Sequence, residues 1–212
     1  MTDIEIFMPY YGDPDLLREA VESVLAQDDD QWRLVVVDDC YPDVEPGRWV
    51  SQIDDERVSY VRNETNLGVS GTFQRCLDLA TAPWLTIMGC DDRLLPGYVR
   101  RVREAIEAHP EAAWVQPGVV VIDEEGREYL PLPDRLKNFY RPHVTATTVL
   151  GGEQLSRSLL RGNWTYFPSL FWRHEVVAAH GFRPEFEIVL DLSLQLDLIA
   201  EGRQLVLDPV PS

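Results

Sequence analysis

What most restricts the fold of this chain is an alternation that runs through its first half. Short apolar runs, most of them stopped by an acidic residue, a proline or a glycine, are separated by stretches with helical spacing. Residues 4–8, 33–37, 58–61 and 85–88 are apolar or β-branched and too short for helices, so they read as strands. Residues 13–27 carry Leu16, Leu17, Ala20, Val21, Val24 and Leu25 at helical spacing, with Asp13 or Asp15 as the entry cap. Residues 72–80 and 98–108 follow as further helices, while residues 41–56 form a variable stretch rich in proline and acid. Strands alternating with such helices predict an α/β fold with a mostly parallel central sheet and helices on both faces. Ligands bind these sheets outside the carboxyl ends of the strands, so the residues that end each run carry the chemistry.

The second half is less regular. Residues 113–122 read as a strand that turns at Asp123-Glu-Glu-Gly126 into residues 127–130, a hairpin-like signal. Residues 131–149, rich in Pro, Arg and His without a period, read as a long loop able to close over a ligand. A short helix at 152–160, a strand at 166–172, a helix at 174–180 ended by Gly181 and a strand at 205–207 complete the pass. In Leu190-Asp-Leu-Ser-Leu-Gln-Leu-Asp-Leu198 apolar and polar residues alternate strictly, which formally scores as a strand. Leu and Gln favour helix, however, and Gly202 reads as a helix stop, so the segment is expected to be a buried helix with Asp191 at its start.

Composition excludes some functions. A net charge of -17 leaves no basic face for phosphate neutralisation, which argues against a nucleic-acid binder or a reader of anionic membrane surfaces. No apolar stretch approaches the length of a membrane span, and residues 4–8 are too short for a signal peptide. The three cysteines, Cys40, Cys76 and Cys90, have neither disulfide-framework nor zinc-site spacing and fit a reducing cytoplasm.

The acidic residues that end the runs are the candidates for chemistry. In Gly89-Cys-Asp-Asp92, two adjacent carboxylates follow a buried strand. Like charges this close raise each other's pKa, and a divalent cation is the usual partner that keeps both ionised; Asp92 capping the next helix is the competing reading. Asp38-Asp39 ends the second strand, where Asp39 would otherwise form an Asx turn before Tyr41. Asp191 opens the late helix, where it would otherwise complement the helix dipole. With Met8-Pro-Tyr-Tyr11 after the first strand, these points converge on one sheet edge.

In order and spacing, these residues resemble the inverting glycosyltransferases of family two, which have the GT-A (Rossmann-like) fold. The resemblance rests on Pro9-Tyr10-Tyr11, Val21-Glu-Ser-Val-Leu-Ala-Gln27, Leu34-Val-Val-Val-Asp-Asp39, Arg62-Asn-Glu-Thr-Asn-Leu-Gly68, Gly89-Cys-Asp-Asp92 (the DxD-type signature) and Asp191. It covers nearly the whole chain. It implies a single domain over residues 1–212, with a nucleotide-sugar-binding half (1–110) and a smaller acceptor-binding half (111–212).

The implied activity is a metal-dependent, inverting, hexosyltransferase-type reaction of polysaccharide or glycoconjugate biosynthesis, using a UDP- or dTDP-sugar. By resemblance Pro9, Tyr10, Tyr11, Asp39, Arg62 and Asp91 contact the donor, with Asp39 accepting the base N–H. Asp92, with Asp91, holds Mg2+ or Mn2+, and Asp191 is the general base. Trp164 and Tyr166, in Gly162-Asn-Trp-Thr-Tyr-Phe-Pro168, are the aromatic candidates for a glycan, lipid-linked or small-molecule acceptor, although core packing is an equal reading. Two departures stand out: Leu190 occupies the place of the acid that usually precedes Asp191, and the chain stops at Ser212 without the late histidine common in the family, as a fragment or a compact version would. A non-catalytic sugar-nucleotide or glycan-binding module is the alternative. A sugar-phosphate nucleotidyltransferase is less favoured, because Pro9-Tyr-Tyr-Gly-Asp13 has neither a glycine run nor a lysine.

Overall fold

The computed structural model describes residues 4–183 and 189–211. Strands β1 (Ile4–Tyr10), β2 (Arg33–Asp38), β3 (Val58–Arg62) and β4 (Trp84–Ile87) pair in parallel, with β2 between β1 and β3 and β4 on the other side of β1. Strand β5 (Trp114–Gly118) pairs in parallel with β8 (Gln204–Pro211), and β6 (Thr148–Gly151) runs antiparallel on the outer side of β8. The three-residue β7 (Phe171–Arg173) joins the two groups, antiparallel to β4 on one side and to β5 on the other. The sheet is therefore eight-stranded, in the order β3-β2-β1-β4-β7-β5-β8-β6.

Alternation along the strands divides the apolar residues between two cores. In β2, Leu34 and Val36 enter one and Val35 and Val37 the other; in β1, Ile4, Ile6, Met8 and Tyr10 oppose Phe7. Helices α1 (Pro14–Leu25), α2 (Glu45–Ser51) and α4 (Tyr98–Ala108) cover the first face, through residues such as Leu17, Val21, Val50, Val99 and Val102. The second face is covered by α3 (Gly68–Leu79), α6 (Gly152–Gly162), α7 (His174–His180) and α8 (Leu190–Ala200). Asp13 caps α1 by accepting the Asp15 amide at 2.8 Å, with Pro14 in the first turn.

Residues 190–198 are helical, as expected. Leu190, Leu194 and Leu198, one turn apart, enter the second core with Ile199, and Gln195 is buried beside them.

Elsewhere the structure corrects the sequence reading. The variable stretch contains α2, with Pro46 in its first turn, and α3 begins at Gly68 rather than 72. The strand expected over 113–122 ends at Gly118, after a register shift around Pro117, and the hairpin beyond is a single bridge between Ile122 and Glu128. The strand expected over 166–172 is a 3-10 turn, Phe167–Ser169, followed by β7, because Pro168 has no N–H for a ladder. The long loop over 131–149 contains α5 (Leu132–Tyr140) and the start of β6.

Candidate active site

The parallel strands bring the ends of β1, β2 and β4 to one edge of the sheet, together with the start of β7. Helix α8 leads into β8, which runs parallel to β5, so the first turn of α8 and Asp191 lie at the same edge.

Gly89-Cys-Asp-Asp92 is folded back on itself. The Gly89 amide donates to Asp92 Oδ2 at 3.2 Å, and the Asp92 amide returns to the Gly89 carbonyl at 3.3 Å. A Cβ at Gly89 would lie 2.4 Å from Asp91 Oδ1 and 2.7 Å from Asp92 Oδ2, so the bare glycine is what lets both carboxylates fold over it. Burial, reinforced by the neighbouring Asp91, pushes the Asp92 carboxyl up to about 6. Arg93 does not relieve it, because its guanidinium pairs with Glu19. Two hard oxygen donors without a neighbouring cation fit Mg2+ or Mn2+. Among the described residues no third His, Cys, Asp or Glu joins them, so the other coordination positions would fall to water and a diphosphate.

The motif at the end of α1 explains how this loop is held. Ser23 and Gln27, one turn apart, face residues 94–99: the Leu94 amide donates to Ser23 Oγ at 3.0 Å and the Val99 amide to Gln27 Oε1 at 3.1 Å. Gln27 Nε2 also donates to the Leu95 carbonyl at 3.0 Å. Gly97, at φ 97°, makes the left-handed turn into α4.

On the β2 side, Asp38 is fully buried. It accepts from Arg62 at 2.6 Å, from the Tyr41 amide at 2.7 Å and from the Tyr60 hydroxyl. Arg62 also donates to the Tyr41 carbonyl at 2.7 Å, so this expected donor contact is first a clamp on the loop after β2. Asp39 accepts from the Asn63 side chain at 2.9 Å and from the Leu67 and Gly68 amides at 2.8 and 2.9 Å. Its carboxylate thus serves the exposed amides at the start of α3, leaving about one of roughly four lone-pair positions for a ligand.

The aromatic residues after β1 divide differently from the expectation. Tyr10 is only 1% exposed, and its hydroxyl donates to the Gly12 carbonyl at 3.1 Å, so its ring packs in the first core. Tyr11 is exposed, and its ring meets Tyr41 edge-on with centroids 5.5 Å apart; Pro9 is half-buried. Tyr41, which stands between Tyr10 and Tyr11, was not singled out from the sequence.

Asp191 is 9% exposed in the first turn of α8, and burial raises its carboxyl above the ordinary range. Lys137 of α5 partly opposes this shift. Leu190, in the place of the missing acid, is buried in the second core.

The acceptor candidates separate. Trp164 is 1% exposed and its indole N–H donates to Ser158 at 2.9 Å, so a ring face for an acceptor, the sequence expectation, is not available. Tyr166 is half-buried beneath α5: its hydroxyl donates to Asp134 at 2.9 Å, and Lys137 Nζ lies 4.2 Å from its ring centroid. Asp134 and Lys137 belong to a segment whose composition reads as a loop and whose structure is helical. Pro133 and Asp134 at the start and Leu132, Leu136 and Phe139 at helical spacing were the signals of a helix.

Known proteins resemble this chain in sequence and in fold. The family described as Glycosyl transferase family 2 matches residues 5–164. The succinoglycan biosynthesis protein ExoO of Rhizobium meliloti (strain 1021) is 32% identical over 173 residues, 82% of this chain and 48% of that protein. The putative colanic acid biosynthesis glycosyl transferase WcaA of Escherichia coli (strain K12) is 32% identical over 94 residues, 44% of this chain and 34% of that protein. The chain thus spans about half the length of these relatives or less. Among solved structures, S. aureus TarS 1-349 in complex with UDP-GlcNAc superposes with a TM-score of 0.73 at 15% identity, covering 97% of this chain and 55% of that one. The mannosyltransferase PcManGT from Pyrobaculum calidifontis, in complex with GDP-Man and Mn2+, gives 0.68 at 17% identity, covering 99% and 57%. These structures share the fold, the GT-A type expected from the sequence.

Proposed function

Because the chain belongs to glycosyl transferase family 2, we propose that it is an inverting glycosyltransferase that moves a sugar from a UDP- or dTDP-sugar to an acceptor hydroxyl. The observation that carries this reading is the Gly89 fold-back, which sets Asp91 and Asp92 together at the end of β4 with Arg93 turned away to Glu19. That is a site for the diphosphate of a nucleotide-sugar, the ligand class in the TarS and PcManGT complexes.

In this proposal Asp92 and Asp91 hold Mg2+ or Mn2+, which when bound neutralises charge on the departing nucleoside diphosphate. Tyr11, Tyr41 and Pro9 form the wall against the base, Arg62 keeps that wall in place, and Asp39 offers its remaining lone pair to the base N–H. Asp191 takes the proton from the acceptor hydroxyl while that oxygen attacks the anomeric carbon opposite the leaving group, which inverts the configuration. Its apolar surroundings suit a base, since a carboxylate deprived of water is more basic. Tyr166, with Asp134 and Lys137, borders the acceptor side. The free thiols of Cys40, Cys76 and Cys90 are consistent with a cytoplasmic reaction, and no helix among the described residues is long and apolar enough to cross a membrane.

Thermal-shift titration with UDP, dTDP, GDP and CDP, each with Mn2+, Mg2+ or chelator, tests the donor site. A ligand that binds only the folded chain raises its melting temperature by mass action. A metal-dependent rise with UDP or dTDP that disappears in Asp92→Ala is the expected result. No rise with any nucleotide under any metal condition would overturn the reading.

A further inference from the structure

Arg141 follows the last turn of α5, and burial pulls its pKa below the ordinary arginine value. Among the described residues its side chain makes a single hydrogen bond, 3.4 Å from Nη2 to the backbone carbonyl of Asp208. The carboxylate of Asp208 is already engaged: it pairs with Arg101 at 2.6 Å and accepts the Val210 amide at 3.1 Å. Among the described residues no carboxylate lies within ion-pair distance of Arg141. Five N–H donors on a partly desolvated cation are thus served by one long bond.

Arg141 lines a cavity of about 450 Å3 together with Asn138, His143, Val144, Thr145 and Pro209 among others. None of its lining residues is acidic, although the chain has 36 acidic residues and a net charge of -17. A cation whose acidic neighbour Asp208 is already paired with Arg101, ringed by an amide, an imidazole and a hydroxyl, is arranged for an oxyanion. The cavity adjoins the acceptor side: Arg141 interacts electrostatically with Tyr166, and Lys137, one turn earlier on α5, does so with Asp191.

We propose that the cavity at the end of α5 binds a phosphoryl group, with Arg141 as its principal ligand and Asn138 and Thr145 as supporting donors. The proposal rests on the transferase reading only in that the phosphoryl group belongs to the acceptor. A phosphoryl group held here gives the acceptor a fixed point from which its hydroxyl reaches Asp191. The group comes either from a lipid headgroup or from a soluble phosphorylated compound.

The test is calorimetric titration of inorganic pyrophosphate in excess chelator, which keeps the anion from binding through a metal at Asp91 and Asp92. The unaltered chain should bind. Arg141→Gln should weaken binding roughly 10- to 100-fold, the range for a lost charge-assisted bond. Asn138→Asp, which places a carboxylate in the cavity from an exposed helix position, should abolish binding even if Arg141→Gln folds poorly. Asp92→Asn should leave it unchanged. No binding by the unaltered chain, equal binding by Arg141→Gln, or loss in Asp92→Asn alone would overturn the proposal. Metal-dependent UDP binding by the same proteins, measured without chelator, reports on the donor reading separately.

Sedimentation with phosphatidylcholine vesicles, with and without phosphatidic acid, separates the sources. Arg141-dependent binding only to phosphatidic acid vesicles supports a lipid headgroup. Pyrophosphate binding with no vesicle binding supports a soluble acceptor.

Discussion

Gly89 and Asp92 exchange hydrogen bonds in both directions, amide to carboxylate at 3.2 Å and amide to carbonyl at 3.3 Å, which turns the end of β4 into a carboxylate-bearing loop. Gly89 does not have a left-handed φ, so Gly89→Ala meets no backbone strain. Its methyl group collides only with the movable ends of Asp91 and Asp92. The variant is expected to fold, to keep its melting temperature without ligand, and to lose metal-dependent nucleotide stabilisation. Unchanged nucleotide affinity would show that the fold-back has no part in donor binding.

Asp191→Asn is expected to lower kcat by about 10²- to 10⁴-fold, the usual contribution of a positioned base, with donor affinity preserved. Single-turnover kinetics with saturating donor measures this. A variant with wild-type kcat would remove Asp191 from the chemistry.

The pH dependence follows from the same carboxyl. A base must be ionised to act, and burial raises the Asp191 pKa, so kcat should fall as pH drops through a value above the ordinary carboxylate range. Lys137 opposes the rise, so Lys137→Met should move this acidic limb to higher pH. A limb that stays in place, or moves to lower pH, would show that Lys137 does not act on the base.

Trp164 is buried with its indole N–H bonded to Ser158. Trp164→Ala should cost about 3–5 kcal/mol in denaturant unfolding, as deletion of a large core side chain does. Trp164→Phe should lose less stability and leave the acceptor KM unchanged. A large KM increase in Trp164→Phe at intact stability would return this residue to the acceptor surface.

Asp39 serves the amides at the start of α3, so Asp39→Asn places an amide group where three donors converge. The expected loss is about 1–2 kcal/mol of stability, that of a helix cap and its dipole interaction. An Asp39→Asn chain of unchanged stability and weakened UDP binding would make Asp39 a base reader alone.

Much of this arrangement was legible in the sequence because it follows from local rules. Short strands that lead into Asp38-Asp39 and Gly89-Cys-Asp-Asp92 put their carboxylates at one edge as soon as the sheet is parallel. The late helix was recoverable because residue propensity outweighed a misleading period-two pattern. The errors arose where tertiary contacts decide. No side chain of α5 is buried and none caps its start, so beyond the proline in its first turn the helix is held by Tyr166 and Ser158, partners distant in sequence. Tyr10 and Tyr11 are adjacent and chemically identical, and only strand direction sends one to the core and the other to solvent. The second engagement of Asp39, with the start of α3, joins residues 28 and 29 positions apart and leaves no local signal.

The three-residue β7 makes synthesis order matter. It lies between β4 and β5 in the sheet, yet it is translated after both, more than 50 residues beyond the end of β5. While the chain emerges, β1 to β4 can assemble as one parallel block, but β4 keeps an open edge and β5 has no neighbour on either side, since β8 arrives later still. Closure therefore waits for five backbone pairings of Phe171, Trp172 and Arg173 to Trp84, Leu85, Thr86, Trp114 and Val115. A ribosome pausing before residue 171 would hold a nascent protein with an exposed apolar strand edge, and this is the interval in which the chain is most open to capture by a chaperone or by another copy of itself.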